Sequence, residues 1–78
     1  YMPHVIIKLW PGKTEEQKQK LTDAIVRDMV STMGCKESSI SVAFEEVEPD
    51  EWAEEVFRPD ILEGEDKLYK KPGYSPFG

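Results

Sequence analysis

The sequence predicts a small α/β (α+β) protein built on one β-α-β unit with parallel strands, a short second helix and a C-terminal tail. Three observations carry this. Two apolar stretches with strand character, residues 3–10 and 39–47, flank a helical pattern that opens at Thr14 and closes at Gly34. A strand, a helix and a strand in so short a span pair in parallel with a right-handed crossover. With 78 residues and 1 Cys, the chain has a modest core and no internal disulfide, so a second copy is expected to complete a four-stranded sheet with helices on one face.

Residues 3–10 (PHVIIKLW) alternate Val5, Ile7 and Leu9 with His4, Ile6, Lys8 and Trp10. Both faces are largely apolar, which suits a strand covered on both sides. Pro3 brings no amide hydrogen, which the first residue of a strand tolerates. Pro11-Gly12 ends the stretch. Thr14-Glu15-Glu16-Gln17 has the form of a capping box, with acids in the first helical turn. Leu21, Ile25, Val26, Met29, Val30 and Met33 then form the apolar half of a helix lying on a sheet. Gly34 is placed to close it in a left-handed cap.

Residues 39–47 (SISVAFEEV) alternate Ile40, Val42 and Phe44 with Ser41, Ala43 and Glu45. Residues 49–57 (PDEWAEEVF) read as a short helix, with Pro49 in the first turn and Trp52 and Val56 one turn apart. Beyond Arg58-Pro59 the pattern weakens, and Lys71-Pro72-Gly73-Tyr74 reads as a turn. Met2-Pro3 reads as a natural start, so residues 1–2 are taken as a tag residue and an initiator methionine, and residues 3–78 as a single domain.

The formal net charge of −6 argues against nucleic acid and against anionic membranes as partners. No run is apolar enough to span a bilayer, and no leader pattern is present; with the single thiol, this points to the cytoplasm. His4 and Cys35 alone make no metal cluster.

The start Pro3-His4, the helix opening Glu16-Gln17-Lys18, the strand Ser38-Ser39-Ile40-Ser41-Val42, Pro49-Asp50-Glu51-Trp52 and the ending Lys70-Lys71-Pro72-Gly73-Tyr74 occur in an order and spacing that resembles the tautomerase superfamily. The resemblance is to its small members, such as 4-oxalocrotonate tautomerase, and is nearest to the phenylpyruvate tautomerase group. It implies a β-α-β unit that dimerises, sometimes building on to hexamers. The segment after residue 57 favours a dimer here. It also implies a cofactor-independent keto–enol isomerase of 2-oxo acids whose base is an N-terminal proline.

Carried onto this chain, the resemblance makes Pro3 the catalytic base. A free prolyl nitrogen is a secondary amine, and an apolar site keeps it uncharged. With Tyr1-Met2 attached the nitrogen is an amide, so that form is expected to be inactive. Lys13 stands where the family's first carboxylate-binding arginine falls; it keeps the charge without the bidentate fork, or is a solvated loop lysine. Ser41 stands where a second arginine falls. It offers a hydrogen bond, or is a small residue that permits close packing. Losing that cation favours a monoacid with an apolar tail, such as phenylpyruvate enol. Trp52 keeps the prolyl site apolar and stacks on an aryl ring, or is a core or interface tryptophan. His4 is a hydrogen-bond donor beside the base or an ordinary strand residue. Trp10 and Phe44 are core or pocket wall. Lys70 and Lys71 reach a neighbouring subunit's site or are surface lysines.

Two other readings stand beside the tautomerase. One is a related hydratase or dehalogenase, for which Glu45 and Glu46 are candidates by type alone. The other is a non-catalytic dimeric domain that binds small molecules or acts as a scaffold.

Overall fold

The computed structural model describes residues 2–77. Tyr1, read as a tag residue, lies outside them, and Met2 is 86% exposed. Strand β1 (His4–Leu9) and strand β2 (Ser41–Glu46) form a two-stranded parallel sheet, joined by helix α1 (Glu15–Met33). The register runs from His4 opposite Ser41 to Leu9 opposite Glu46.

Both strands are shorter than their apolar stretches. Pro3 stands just outside β1, its carbonyl accepting from the Ser41 amide at 3.2 Å. At the other end β2 begins two residues later than expected. Ser39 belongs to a 3₁₀ turn (Glu37–Ser39), where its amide and its hydroxyl both donate to the Lys36 carbonyl, at 3.0 and 2.7 Å. A serine side chain bonding its own backbone favours the turn over the ladder.

The limits of α1 follow the capping signals. Thr14 Oγ1 accepts from the Gln17 amide at 3.1 Å, and Gln17 Oε1 accepts from the Thr14 amide at 2.9 Å. Gly34 sits at φ 72° and donates to the Val30 carbonyl at 3.1 Å. A Cβ there would meet nothing within 4 Å, so the demand for glycine is purely conformational. Gly34→Ala is expected to cost about 1 kcal/mol in urea unfolding; an unmoved midpoint would mean that the left-handed cap does not constrain the helix end.

α1 lies on the Val5, Ile7, Leu9 face, with Leu21, Lys18 and Gln17 beside Leu9 and Phe44, and Thr22 beside Val42. Ile25, Val26 and Met29 are half-buried as expected, but Leu21, Val30 and Met33 remain exposed. A sheet of two strands is too narrow to cover half of a helix's circumference, since strands lie only about 4.8 Å apart.

The second helix differs most from expectation. A 3₁₀ turn (Pro49–Glu51) leads through Trp52 into a π-helix (Ala53–Leu62), which runs past the expected end at residue 57 and contains Pro59. Its wider coil is visible at the end, where the Glu63 amide donates to the Arg58 carbonyl, five residues back, at 3.0 Å. Val56 and Phe57 on this helix are buried, and the tail folds back on them. The Phe57 ring meets Tyr74 at 5.3 Å and Phe77 edge-on at 5.7 Å, and the Arg58 guanidinium lies 4.7 Å over Phe77. Lys8 Nζ donates to Asp60 Oδ2 at 2.6 Å and so ties this helix to β1. Among the described residues only Cys35, Val56 and Phe57 are buried.

Candidate active site

The parallel register builds one group of polar atoms at the head of β1. Because His4 lies opposite Ser41, the two side chains share a face, and His4 Nδ1 and Ser41 Oγ are hydrogen-bonded at 2.6 Å. Pro3 is half-buried beside them, linked to Ser41 through the backbone. Of the residues singled out in the sequence, this end holds Pro3, His4 and Ser41.

Trp52 and Lys13 lie elsewhere. Trp52 lines a cavity of about 530 Å³ with Lys8, Leu9, Trp10, Ala53 and Tyr74. Its indole Nε1 donates to the Tyr74 hydroxyl at 2.9 Å. Lys13 lines a smaller cleft on the α1 side with Leu9, Gln17 and Phe44. Both sites are at the far end of β1. At about 3.3 Å of rise per residue, that is roughly 20 Å from Pro3. One copy of the chain therefore carries two separate candidate half-sites, a polar one at the head of β1 and an aromatic one at its tail.

The aromatic candidate half-site also contains two polar side chains that the sequence reading did not put in a site, Lys8 and Tyr74. The alternation of β1 already put Lys8 and Trp10 on one face, so Lys8 was accessible to that reasoning. Tyr74 arrives only through the folded tail. The Lys8 ammonium is not free charge: its hydrogen bond to Asp60 outweighs desolvation and raises its pKa above the ordinary lysine value. The Glu46 carboxylate does the same to Lys18, across 2.8 Å. Glu46 is thereby occupied by a structural partner. Lys71 pairs with Glu65 at 3.3 Å, on the tail. Phe44 faces α1 as a wall of the Lys13 cleft, and Cys35 is buried.

A parallel β-α-β unit of this kind is the fold of solved 4-oxalocrotonate tautomerase homologues. The family profile described as tautomerase enzyme matches residues 3–58, and the chain belongs to that family. It is an isomerase. Tautomerase PptA of Klebsiella pneumoniae (strain 342) is 44% identical over 75 residues, spanning 95% of this chain and 99% of that protein. Tautomerase PptA of Pectobacterium carotovorum subsp. carotovorum (strain PC1) is 40% identical over 75 residues, with the same two shares. Among solved structures, YwhB, a homologue of 4-oxalocrotonate tautomerase, superposes with a TM-score of 0.63 at 33% identity, over 69% of this chain and 88% of that one. DmpI from Helicobacter pylori superposes with a TM-score of 0.56 at 39% identity, over 59% and 78%. No helix among the described residues is long and apolar enough to cross a membrane.

Proposed function

We propose that this tautomerase interconverts the enol and keto forms of 2-oxo acids without a cofactor, with the nitrogen of Pro3 as general base once Pro3 is the first residue. The observation that carries the reading is the position of Pro3, heading β1 at the first residue of the family match. A terminal α-amino group has an ordinary pKa of about 7.7–8.0. Apolar surroundings disfavour its charged form, so a modest downward shift leaves it basic near neutral pH. The nitrogen takes the proton of the substrate's 2-hydroxyl and returns it to C3, which completes the isomerisation.

A homodimer reconciles the two half-sites. Both strands of the sheet are open at an edge, and a two-fold axis pairs edge strands in antiparallel fashion. With β1 as the paired edge, the head of one copy's β1 lies near the tail of its partner's. In this arrangement Lys13 of the second copy attracts the substrate carboxylate, and Trp52 stacks on the substrate's apolar end. The apolar cavity at Trp52 favours an aryl pyruvate over a dicarboxylate. The single thiol is in keeping with a reducing, cytoplasmic setting.

The test uses protein that begins at Pro3, its terminus verified by mass spectrometry. Phenylpyruvate enol should lose its absorbance faster with this protein than in buffer alone. A decay no faster than buffer would leave a dimeric domain without this activity.

A further inference from the structure

We infer that Ser41 donates a hydrogen bond to the oxygen on C2 of the substrate, and that His4 is a positioning residue that holds this hydroxyl for the task. The inference rests on the reading of Pro3 as the base and adds a group that stabilises the enolate.

The geometry begins with the backbone. The Pro3 carbonyl is 3.2 Å from the Ser41 amide. Covalent geometry limits the span from a residue's nitrogen to its own carbonyl oxygen, so the prolyl nitrogen lies within about 7 Å of the Ser41 amide nitrogen. The oxygen on C2 and carbon C3 of a 2-oxo acid are less than about 3 Å apart by ordinary bond lengths. The Ser41 hydroxyl lies within one short side chain of that amide, which puts it in the neighbourhood that a substrate held at the base by C3 would occupy with its oxygen.

The His4–Ser41 contact decides what the hydroxyl can offer. A serine has one hydrogen to donate and two lone pairs. When His4 Nδ1 carries its proton, the ring donates to Ser41 Oγ across 2.6 Å, and the hydroxyl hydrogen is left for a third atom. That atom is best an anion, because a donor that itself receives a hydrogen bond is polarised. Deprotonation of the 2-hydroxyl places negative charge on this oxygen and on C3. A donor fixed in advance toward that charge acts mainly in the transition state. No proton leaves Ser41: the base removes one from the substrate and returns it to C3.

The exposure of both side chains in the single copy fits a surface that a substrate reaches. Neither is needed for the buried core, so both can be changed in a folded protein.

The experiment measures kcat and KM for phenylpyruvate enol with protein starting at Pro3, together with its Ser41→Ala, Ser41→Thr, His4→Phe and Ser41→Ala/His4→Phe variants. Far-ultraviolet circular dichroism confirms that each is folded. Ser41→Ala should lower kcat by about tenfold or more while KM changes by less than about threefold. Ser41→Thr, which keeps the hydroxyl, should restore the rate to within about threefold of the parent, since only that group is asked to act. His4→Phe should reproduce much of the loss, and the double variant should be no worse than Ser41→Ala alone, because His4 acts through Ser41. An unchanged kcat in Ser41→Ala, or losses that add in full, would overturn the inference. An inactive parent protein would instead overturn the reading of Pro3, so the two failures are distinguishable.

Discussion

Leaving even Met2 in front of Pro3 is expected to lower the tautomerase rate by about 10²–10⁴, the usual contribution of a positioned acid–base group. An acylated prolyl nitrogen has its lone pair delocalised into the carbonyl and cannot take a proton at neutral pH. The fold should be indifferent to the change, because Met2 is exposed and the β1 ladder begins at His4. The check is a comparison of three proteins: one beginning at Pro3, one keeping Tyr1-Met2, and a Pro3→Ala variant also beginning at its third residue. The extended protein should match the first in circular dichroism and fall to the buffer rate in the assay. The alanine variant retains a terminal amine, a primary one, and should keep part of the activity. Equal rates for the extended and trimmed proteins would remove the prolyl nitrogen from the mechanism.

Phe57→Ala should have the largest effect on stability. Phe57 is 3% exposed and is the point where the π-helix and the tail meet, through Tyr74 and Phe77. Deleting a buried phenylalanine ring typically costs about 3–5 kcal/mol. The whole stability of a domain of this size is roughly 4–12 kcal/mol. The variant should therefore melt far below the parent or be partly unfolded at room temperature. Urea denaturation monitored by tryptophan fluorescence reads both states, since Trp52 lies on the same packed segment. A loss below about 1 kcal/mol would show that the tail is not part of the folding unit, because that is the level of an ordinary surface change.

Most of the β-α-β unit was legible before any coordinates. The start of α1 was written in Thr14 and Gln17, and its end in Gly34, because capping is a local interaction between residues close in sequence. The register that sets His4 opposite Ser41 was not legible, because strands joined through a crossover helix can slip by two residues and keep the same faces. The second helix was not legible beyond residue 57. Pro59 normally stops a helix, because it lacks an amide hydrogen and its ring crowds the preceding turn. Here the chain widens to hydrogen bonds that span five residues, which no 3.6-residue pattern reveals. The tail was illegible for another reason. The contacts of Phe57 with Tyr74 and Phe77 bridge 17 and 20 residues of sequence, and Phe77 sits among Pro and Gly with no periodicity to mark it.

The sequence offered candidate residues and not their layout. Pro3, Lys13, Ser41 and Trp52 could be picked out by their order along the chain. Their order could not show that Trp52 and Lys13 lie at the opposite end of β1 from Pro3. That distance is a property of one copy, and the proposed homodimer is what would remove it.

Because the sheet holds just β1 and β2, each strand has a flank of amides and carbonyls with no ladder neighbour among the described residues. Such a flank is adhesive toward any extended backbone, its own kind or a stranger's. In the proposed homodimer a properly matched copy silences it, and scarcity of copies leaves it bare. The molecule's integrity then becomes a matter of abundance: dilution loosens it, crowding among mismatched chains endangers it, and the health of the enzyme is set partly by how many siblings surround it.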